Sequence, residues 1–168
     1  MPVIKQKYQR VAVFMDVQNL YHSAKNLYRA RVNFKEVVRS AVASRQLVRA
    51  IAYVIRTESG EEKGFFEALT KLGIETREKD LQVFYGGAIK ADWDVGIAVD
   101  AIRIAPSVDA VVLCSGDGDY IPLVDQLKSM GKQVEVVAFS RSASAKLKEA
   151  ADDFIDLCGD PSRYLLRR

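Results

Sequence analysis

The chain has 168 residues, enough for one domain that buries roughly 70% of its unfolded surface, with 49% hydrophobic and 28% charged residues. Its net charge of +3, from 25 basic and 22 acidic residues, is too mild to signal nucleic-acid binding without a local basic patch. No apolar run approaches the roughly 20 residues that span a bilayer, the N-terminus lacks an apolar signal core, and two cysteines cannot build a thiolate zinc site. Cys114 and Cys158 read as small buried hydrophobes on strands, and a reduced, cytoplasmic protein is expected.

Along the chain, Val11–Met15 reads as a strand that ends at Asp16. A helix over 17–28 follows, with Leu20, Ala24, Leu27 and Tyr28 at helical spacing. Asn33 is placed to cap a second helix over 34–43, whose apolar face holds Phe34, Val37, Val38, Ala41 and Val42. Leu47–Ile55 is the next strand. The helix that opens at Ser59 presents Phe65, Phe66, Leu69 and Leu72 and closes at Gly73. A short polar edge strand, 74–79, is continued or paired by 81–85, and a loop with Gly86 leads into a helix over 93–105. Val95, Ile97, Ala98, Val99, Ala101, Ile102 and Ile104 make that helix apolar nearly all round, which predicts heavy burial. Ala110–Cys114 is a strand without polar interruption. It runs into Ser115-Gly116-Asp117-Gly118-Asp119 and a helix over 120–130. The strand 132–139, a helix over 142–151 and a short strand, 154–157, complete the pattern, and the tail 160–168 is unassigned.

Alternating strands and helices argue for an α/β fold, a three-layer α/β/α sandwich on a mostly parallel sheet. No repeat or linker divides it, so residues 1–168 read as a single domain with its core at about 11–157. In such folds the loops that follow strands form the ligand-binding edge. Asp16, Asp94, Asp117 and Asp119 arrive there from three separate segments. Clustered carboxylates repel unless a cation compensates, and Mg²⁺ and Mn²⁺ prefer oxygen ligands. The pattern points to a divalent-metal site and phosphoryl chemistry. Plainer roles exist for each acid. Asp119 suits the cap of the helix at Tyr120, and Asp94 suits a first helical turn. Asp16 suits an Asx-turn, and Asp92 reads as a cap rather than a ligand. Asp100, about 9 Å further along the helix, reads as paired with Arg103 or as outer support.

Phe14-Met-Asp-Val-Gln-Asn19, Lys90-Ala-Asp-Trp-Asp-Val-Gly-Ile-Ala-Val-Asp100 and Ser115-Gly-Asp-Gly-Asp-Tyr120 resemble the three signatures of NYN domain proteins. These belong to the PIN-like nuclease superfamily, and the LabA-type bacterial branch is the best match. The resemblance runs from about Val11 to Leu157. It implies a metal-dependent ribonuclease in which Asp16, Asp94, Asp117 and Asp119 act as metal ligands and catalytic acids, with Asn19 as a positioning companion. Ser115 matches the hydroxyl residue of the acidic loop and is a candidate phosphate or metal contact. Two features depart from the family: Lys90 is followed by Ala91-Asp92-Trp93 where Lys-Gly is common, and an acid found on an earlier helix in many PIN proteins has no clear counterpart.

RNA is the implied partner. Lys90 and then Arg141 are the candidate phosphate-binding cations, ahead of Arg56 and Lys25. Trp93 is the first candidate to stack on a base, with Tyr21 and Tyr85 behind it. His22, the single histidine, has no nucleophile elbow near it, and no Walker A or dinucleotide glycine fingerprint occurs. PIN-like relatives often pair, so a homodimer is possible, although no feature of the sequence demands one. The rival reading is a non-catalytic regulatory or RNA-binding module of the same fold.

Overall fold

A computed structural model describes residues 3–56, 63–80, 82–83, 89–90 and 92–166, with the backbone alone at 63, 82, 83, 89 and 90. In chain order the elements are β1 (Arg10–Asp16), α1 (Val17–Tyr28), β2 (Arg31–Val32), α2 (Phe34–Val42), β3 (Gln46–Arg56), α3 (Lys63–Lys71), β4 (Glu75–Asp80), β5 (Gln82–Val83), β6 (Ile89–Lys90) and α4 (Asp94–Ile104). β7 (Ala110–Cys114), α5 (Ile121–Ser129), β8 (Gln133–Ala138), α6 (Ala145–Ala150), β9 (Asp153–Asp156), α7 (Pro161–Tyr164) and β10 (Leu165–Leu166) follow. Short 3₁₀ turns intervene, among them 118–120 and 140–142.

Six strands form the central sheet in the order β4-β3-β1-β7-β8-β9, every neighbouring pair parallel. A parallel sheet needs both faces covered, so its inner strands are continuous apolar runs. Ala110–Cys114 is buried at every position. Alternate residues feed two cores. Val11, Val13 and Met15 pack with Leu20, Val37, Ala41 and Leu69, the side of α1, α2 and α3. Ala12 and Phe14 pack with Ile97, Ala101, Leu123, Leu127 and Leu147, the side of α4, α5 and α6. This is the three-layer α/β/α architecture. No helix of the described residues is long and apolar enough to cross a membrane.

Several local expectations are corrected. Of the segment 81–85, residues 81, 84 and 85 lie outside the described residues, and the described part, β5, pairs antiparallel with β6 in a separate two-stranded ribbon instead of with β4. Ser59, the expected start of the third helix, lies outside the described residues. The long helix expected at 142–151 is a 3₁₀ turn at 140–142 followed by α6, because Ser144 caps a fresh start by accepting from the Leu147 amide. Cys158 lies in a 3₁₀ turn after β9 instead of on a strand, and it is half-buried. The unassigned tail supplies α7 and β10. β10 pairs antiparallel with β2, and the Tyr164 hydroxyl meets Ser40 Oγ at 2.6 Å. The expected all-round burial of α4 fails: Val95, Val99 and Ile102 are 75%, 46% and 39% exposed. Only one side of α4 meets the sheet.

The sheet order reverses direction between β1 and β7. From β1 the chain builds outward through β3 and β4, and from β7 it builds the other way through β8 and β9. The crevice beyond the ends of β1 and β7 is therefore the topological switch point, where open α/β sheets place their ligands.

Candidate metal centre

The end of β1 delivers Asp16 to this crevice. Its Oδ1 accepts the Asn19 amide at 3.2 Å and so caps α1, a use of a short acid that satisfies an otherwise unpaired donor. Its Oδ2 accepts the hydroxyls of Ser115 (3.2 Å) and Tyr120 (3.3 Å), both from the segment after β7. Asn19 completes the lacing, since its side-chain oxygen accepts the Gly116 amide at 2.9 Å. Four residues thus bind two loops that lie about a hundred positions apart in the sequence.

The acidic loop has its own internal order. Ser115 Oγ accepts the Asp117 amide at 3.2 Å, and Asp117 Oδ1 accepts the Asp119 amide at 2.9 Å. Asp117 is therefore the cap, of the 3₁₀ turn 118–120, and Asp119 is not the cap expected of it. A backbone turn that precedes α5 leaves the Asp119 carboxylate exposed. Both glycines sit in close approach to the segment before α6. A Cβ on Gly116 would lie 3.0 Å from the Ala143 backbone, and one on Gly118 3.0 Å from Ser144 Oγ.

The third acid comes from the start of α4. Trp93 occupies the cap position without a side-chain cap bond, and Asp92, one residue earlier, accepts the Asp94 amide at 3.3 Å. Asp94, Asp117 and Asp119 each offer a carboxylate oxygen, and these three atoms all lie within 4.8 Å of one another. Asp16 is not a member of that trio. It lines a cleft of about 280 Å³ together with Asp94, Asp117 and Asp92, and with Gln18, His22, Asn26 and Ser142.

Electrostatics follow from this crowding. Burial pushes the Asp16 carboxyl up to about 6 from 3.8, and the charge of Asp94 adds to the rise. Asp94 is raised as well, first by burial and then by the charge of Asp117. The Tyr120 phenol is driven far above its ordinary range by burial and by both of those acids, so it stays protonated and donates to Asp16. A group of mutually repelling oxygen donors, beside a cleft whose lining holds no lysine or arginine among the described residues, fits a hard divalent cation.

The NYN domain family matches residues 10–158, which takes in the first strand, the acidic loop and all three acid-bearing segments. The chain belongs to the NYN domain family. It is 28% identical over 162 residues to the low amplitude and bright protein LabA of Synechococcus elongatus, covering 88% of this chain and 83% of that one. An uncharacterised protein of Methanocaldococcus jannaschii is 32% identical over 68 residues, 39% of this chain and 28% of that one. The crystal structure of a protein of unknown function from Vibrio parahaemolyticus superposes with a TM-score of 0.87 at 34% identity, covering 98% of this chain and 100% of that one.

Within the NYN domain, the other residues singled out in the sequence take varied places. Ser115 is fully buried, bridging Asp16 and the Asp117 amide. Trp93 is turned against the sheet: its indole N–H donates to the Val54 carbonyl at 2.9 Å, its ring packs on Tyr53 at 5.3 Å, and Lys79 lies 4.5 Å over it. Arg141 is exposed in the 140–142 turn. The backbone of Lys90 lies in β6, its side chain is outside the described residues, and so is the whole of Tyr85. Arg56 is engaged with Glu78 and Asp80, and Lys25 lies near the exposed Tyr21. Asp100 faces away from the acid trio. It accepts the Tyr53 hydroxyl at 2.8 Å and pairs with Arg77 at 3.0 Å as well as with Arg103 at 3.9 Å.

Sequence reasoning missed the polar wall of the cleft. Gln18, His22 and Asn26 recur every fourth residue on α1, opposite the buried Leu20 and Ala24, and all three line the site. That spacing was a usable signal. Tyr120 closed one of the quoted signatures, but nothing in the sequence linked its hydroxyl to Asp16.

Proposed function

We propose that this NYN domain, acting as a single domain in the cytoplasm, is a Mg²⁺- or Mn²⁺-dependent ribonuclease that hydrolyses RNA phosphodiester bonds. The observation that carries the reading is the convergence of Asp94, Asp117 and Asp119 at the switch point of the sheet. The general association of NYN domains with nuclease activity on RNA supports it.

Asp94, Asp117 and Asp119 would hold the cation, which when bound supplies Lewis-acid stabilisation of charge on the phosphoryl oxygens and a more acidic water. The remaining residues prepare the site. Asp16, hydrogen-bonded on both oxygens, fixes the β1 end against the acidic loop and lies close enough to Asp94 to feel its charge. Asn19 and Ser115 are positioning residues, since each holds the backbone of the loop that bears Asp117. The exposed carboxylate of Asp119 would also orient an attacking water. Lys90 and Arg141 remain the cations assigned to the phosphates of bound RNA.

The test is incubation of the purified protein with mixed-sequence single-stranded RNA in Mn²⁺ or Mg²⁺, then in EDTA, beside Asp94→Asn and Asp117→Asn. The expected result is cleavage that needs the metal and falls at least about a hundredfold in either variant, the scale on which electrostatic catalysis is lost. Cleavage that persists in both variants would place the chemistry elsewhere. Absence of cleavage with RNA still bound would assign the fold to the regulatory, binding-only role.

A further inference from the structure

The start of α4 carries Asp94, and little in its own sequence holds it in place. Trp93 stands at the cap position without a side-chain cap bond. Asp94 is crowded by Asp117, Asp92 and Asp119, whose charges push against it. A helix end under such repulsion swings away from the acidic loop unless another element restrains it. The restraint comes from the edge of the sheet. Successive residues of a strand point to opposite faces, so Arg77 and Lys79 of β4 share one, and both reach α4. Arg77 Nε lies 3.0 Å from Asp100 Oδ2, further along the helix. Lys79 Nζ donates to the Asp92 carbonyl at 2.9 Å, two residues before Asp94, and lies 4.5 Å over the Trp93 ring. The Trp93 indole is in turn bonded to the Val54 carbonyl of β3 at 2.9 Å.

We propose that Lys79 is a positioning residue for the metal centre: its ammonium, bonded to the Asp92 carbonyl and seated on Trp93, holds the first turn of α4 where Asp94 meets Asp117 and Asp119. The proposal rests on the reading of those three acids as cation ligands. Two effects of the lysine oppose each other, and their signs separate its roles. As a charge alone, an ammonium beside the cleft repels a divalent cation, so its removal would tighten cation binding. As a tether it assembles the donor set, so its removal weakens binding. A group that orients a metal ligand is typically worth about ten- to a hundredfold in affinity. Lys79 is partly exposed, so the repulsion is screened by solvent and salt. Positioning wins.

The test is Mn²⁺ binding to the full chain, read from the electron paramagnetic resonance of the free ion. Lys79→Met keeps an apolar stem against Trp93 but loses the donor, and its Kd for Mn²⁺ should rise about tenfold or more. Lys79→Arg can donate to the same carbonyl and lie over the same indole, so it should retain most of the affinity. Far-UV circular dichroism, with binding measured well below the Tm of each variant, keeps a general loss of stability out of the result. An unchanged or tighter Kd in Lys79→Met would overturn the proposal, as would a Lys79→Arg chain as weak as Lys79→Met. Asp117→Asn tests the underlying reading separately. If it binds Mn²⁺ as tightly as wild type, or if wild type binds none, the metal centre itself falls and the proposal falls with it.

Discussion

Asp16 is shielded from water yet accepts three hydrogen bonds, and burial still dominates, raising its carboxyl from 3.8 to about 6. An acid that binds its proton more tightly when folded lends stability at low pH and loses it as pH climbs between those two values. In metal-free protein the stability should therefore decline from about pH 4 to about pH 6.5, by on the order of 3 kcal/mol at about 1.4 kcal/mol per unit, with the raised Asp94 acting in the same direction. Replacing the charge removes the penalty. Asp16→Asn should raise Tm in EDTA at pH 7.5 while changing it little at pH 4.5. A gain of equal size at both pH values, or a loss at pH 7.5, would show that the hydrogen bonds of Asp16 matter more than its desolvation. Added Mn²⁺ should reverse the advantage, since the cation relieves the repulsion that Asn avoids.

At the scale of elements, α4 shows how one helix joins the metal site, the core and the surface. Its first turn works only because residue 96 has no side chain. A Cβ on Gly96 would lie 2.6 Å from Cε3 of Trp93, whose indole is tied to the Val54 carbonyl. Gly96→Ala gains about 1 kcal/mol of helix propensity but must displace a ring packed on Tyr53, and overpacking of that kind costs about 1–3 kcal/mol. The net expectation is a modest loss of stability. Trp93 is the only tryptophan, so its emission should shift with the substitution. Unchanged emission with a higher Tm would mean that the ring contact is loose. The acidic loop repeats this logic, with Gly116 and Gly118 pressed against Ala143 and Ser144.

Across the whole molecule, the two ends of the sheet carry opposite solutions to buried charge. At the crevice, acids gather without a cationic partner in the cleft lining, among the described residues. Beside the first residues of β3 and β8, Arg45 is fully satisfied inside the protein. Its five N–H groups reach Glu135 twice at 2.8 Å, the Ala41 and Val42 carbonyls, and Gln9. Lys5 approaches the same Glu135 at 3.5 Å, and Asp153 at 3.1 Å, pinning the N-terminal lead under the sheet. Desolvation offsets most of what such a pair gains, but a lone buried charge is far worse. Arg45→Met should cost about 3–5 kcal/mol in denaturant unfolding, and adding Glu135→Leu should recover most of it. A double variant no more stable than the single one would show that Glu135 is held by Lys5 and Gln133 instead.

The sequence determined the layers by itself. Val11–Met15 and Ala110–Cys114 are apolar without a break because a parallel sheet buries both faces, and the helices between them declare themselves by period and by caps such as Asn33. It also determined which segments bring acids to the binding edge, because a strand followed directly by a carboxylate fixes where that carboxylate emerges. Tertiary structure decided where those acids sit relative to one another. Asp94, Asp117 and Asp119 meet as a trio, whereas Asp16 is drawn back by Ser115 and Tyr120. Those hydroxyls reach it only because β7 lies next to β1, a pairing across about a hundred residues that no local pattern encodes. Exposure on α4 was decided in the same way, since periodicity reports how apolar a helix is and only the packed fold reports which of its faces finds a neighbour.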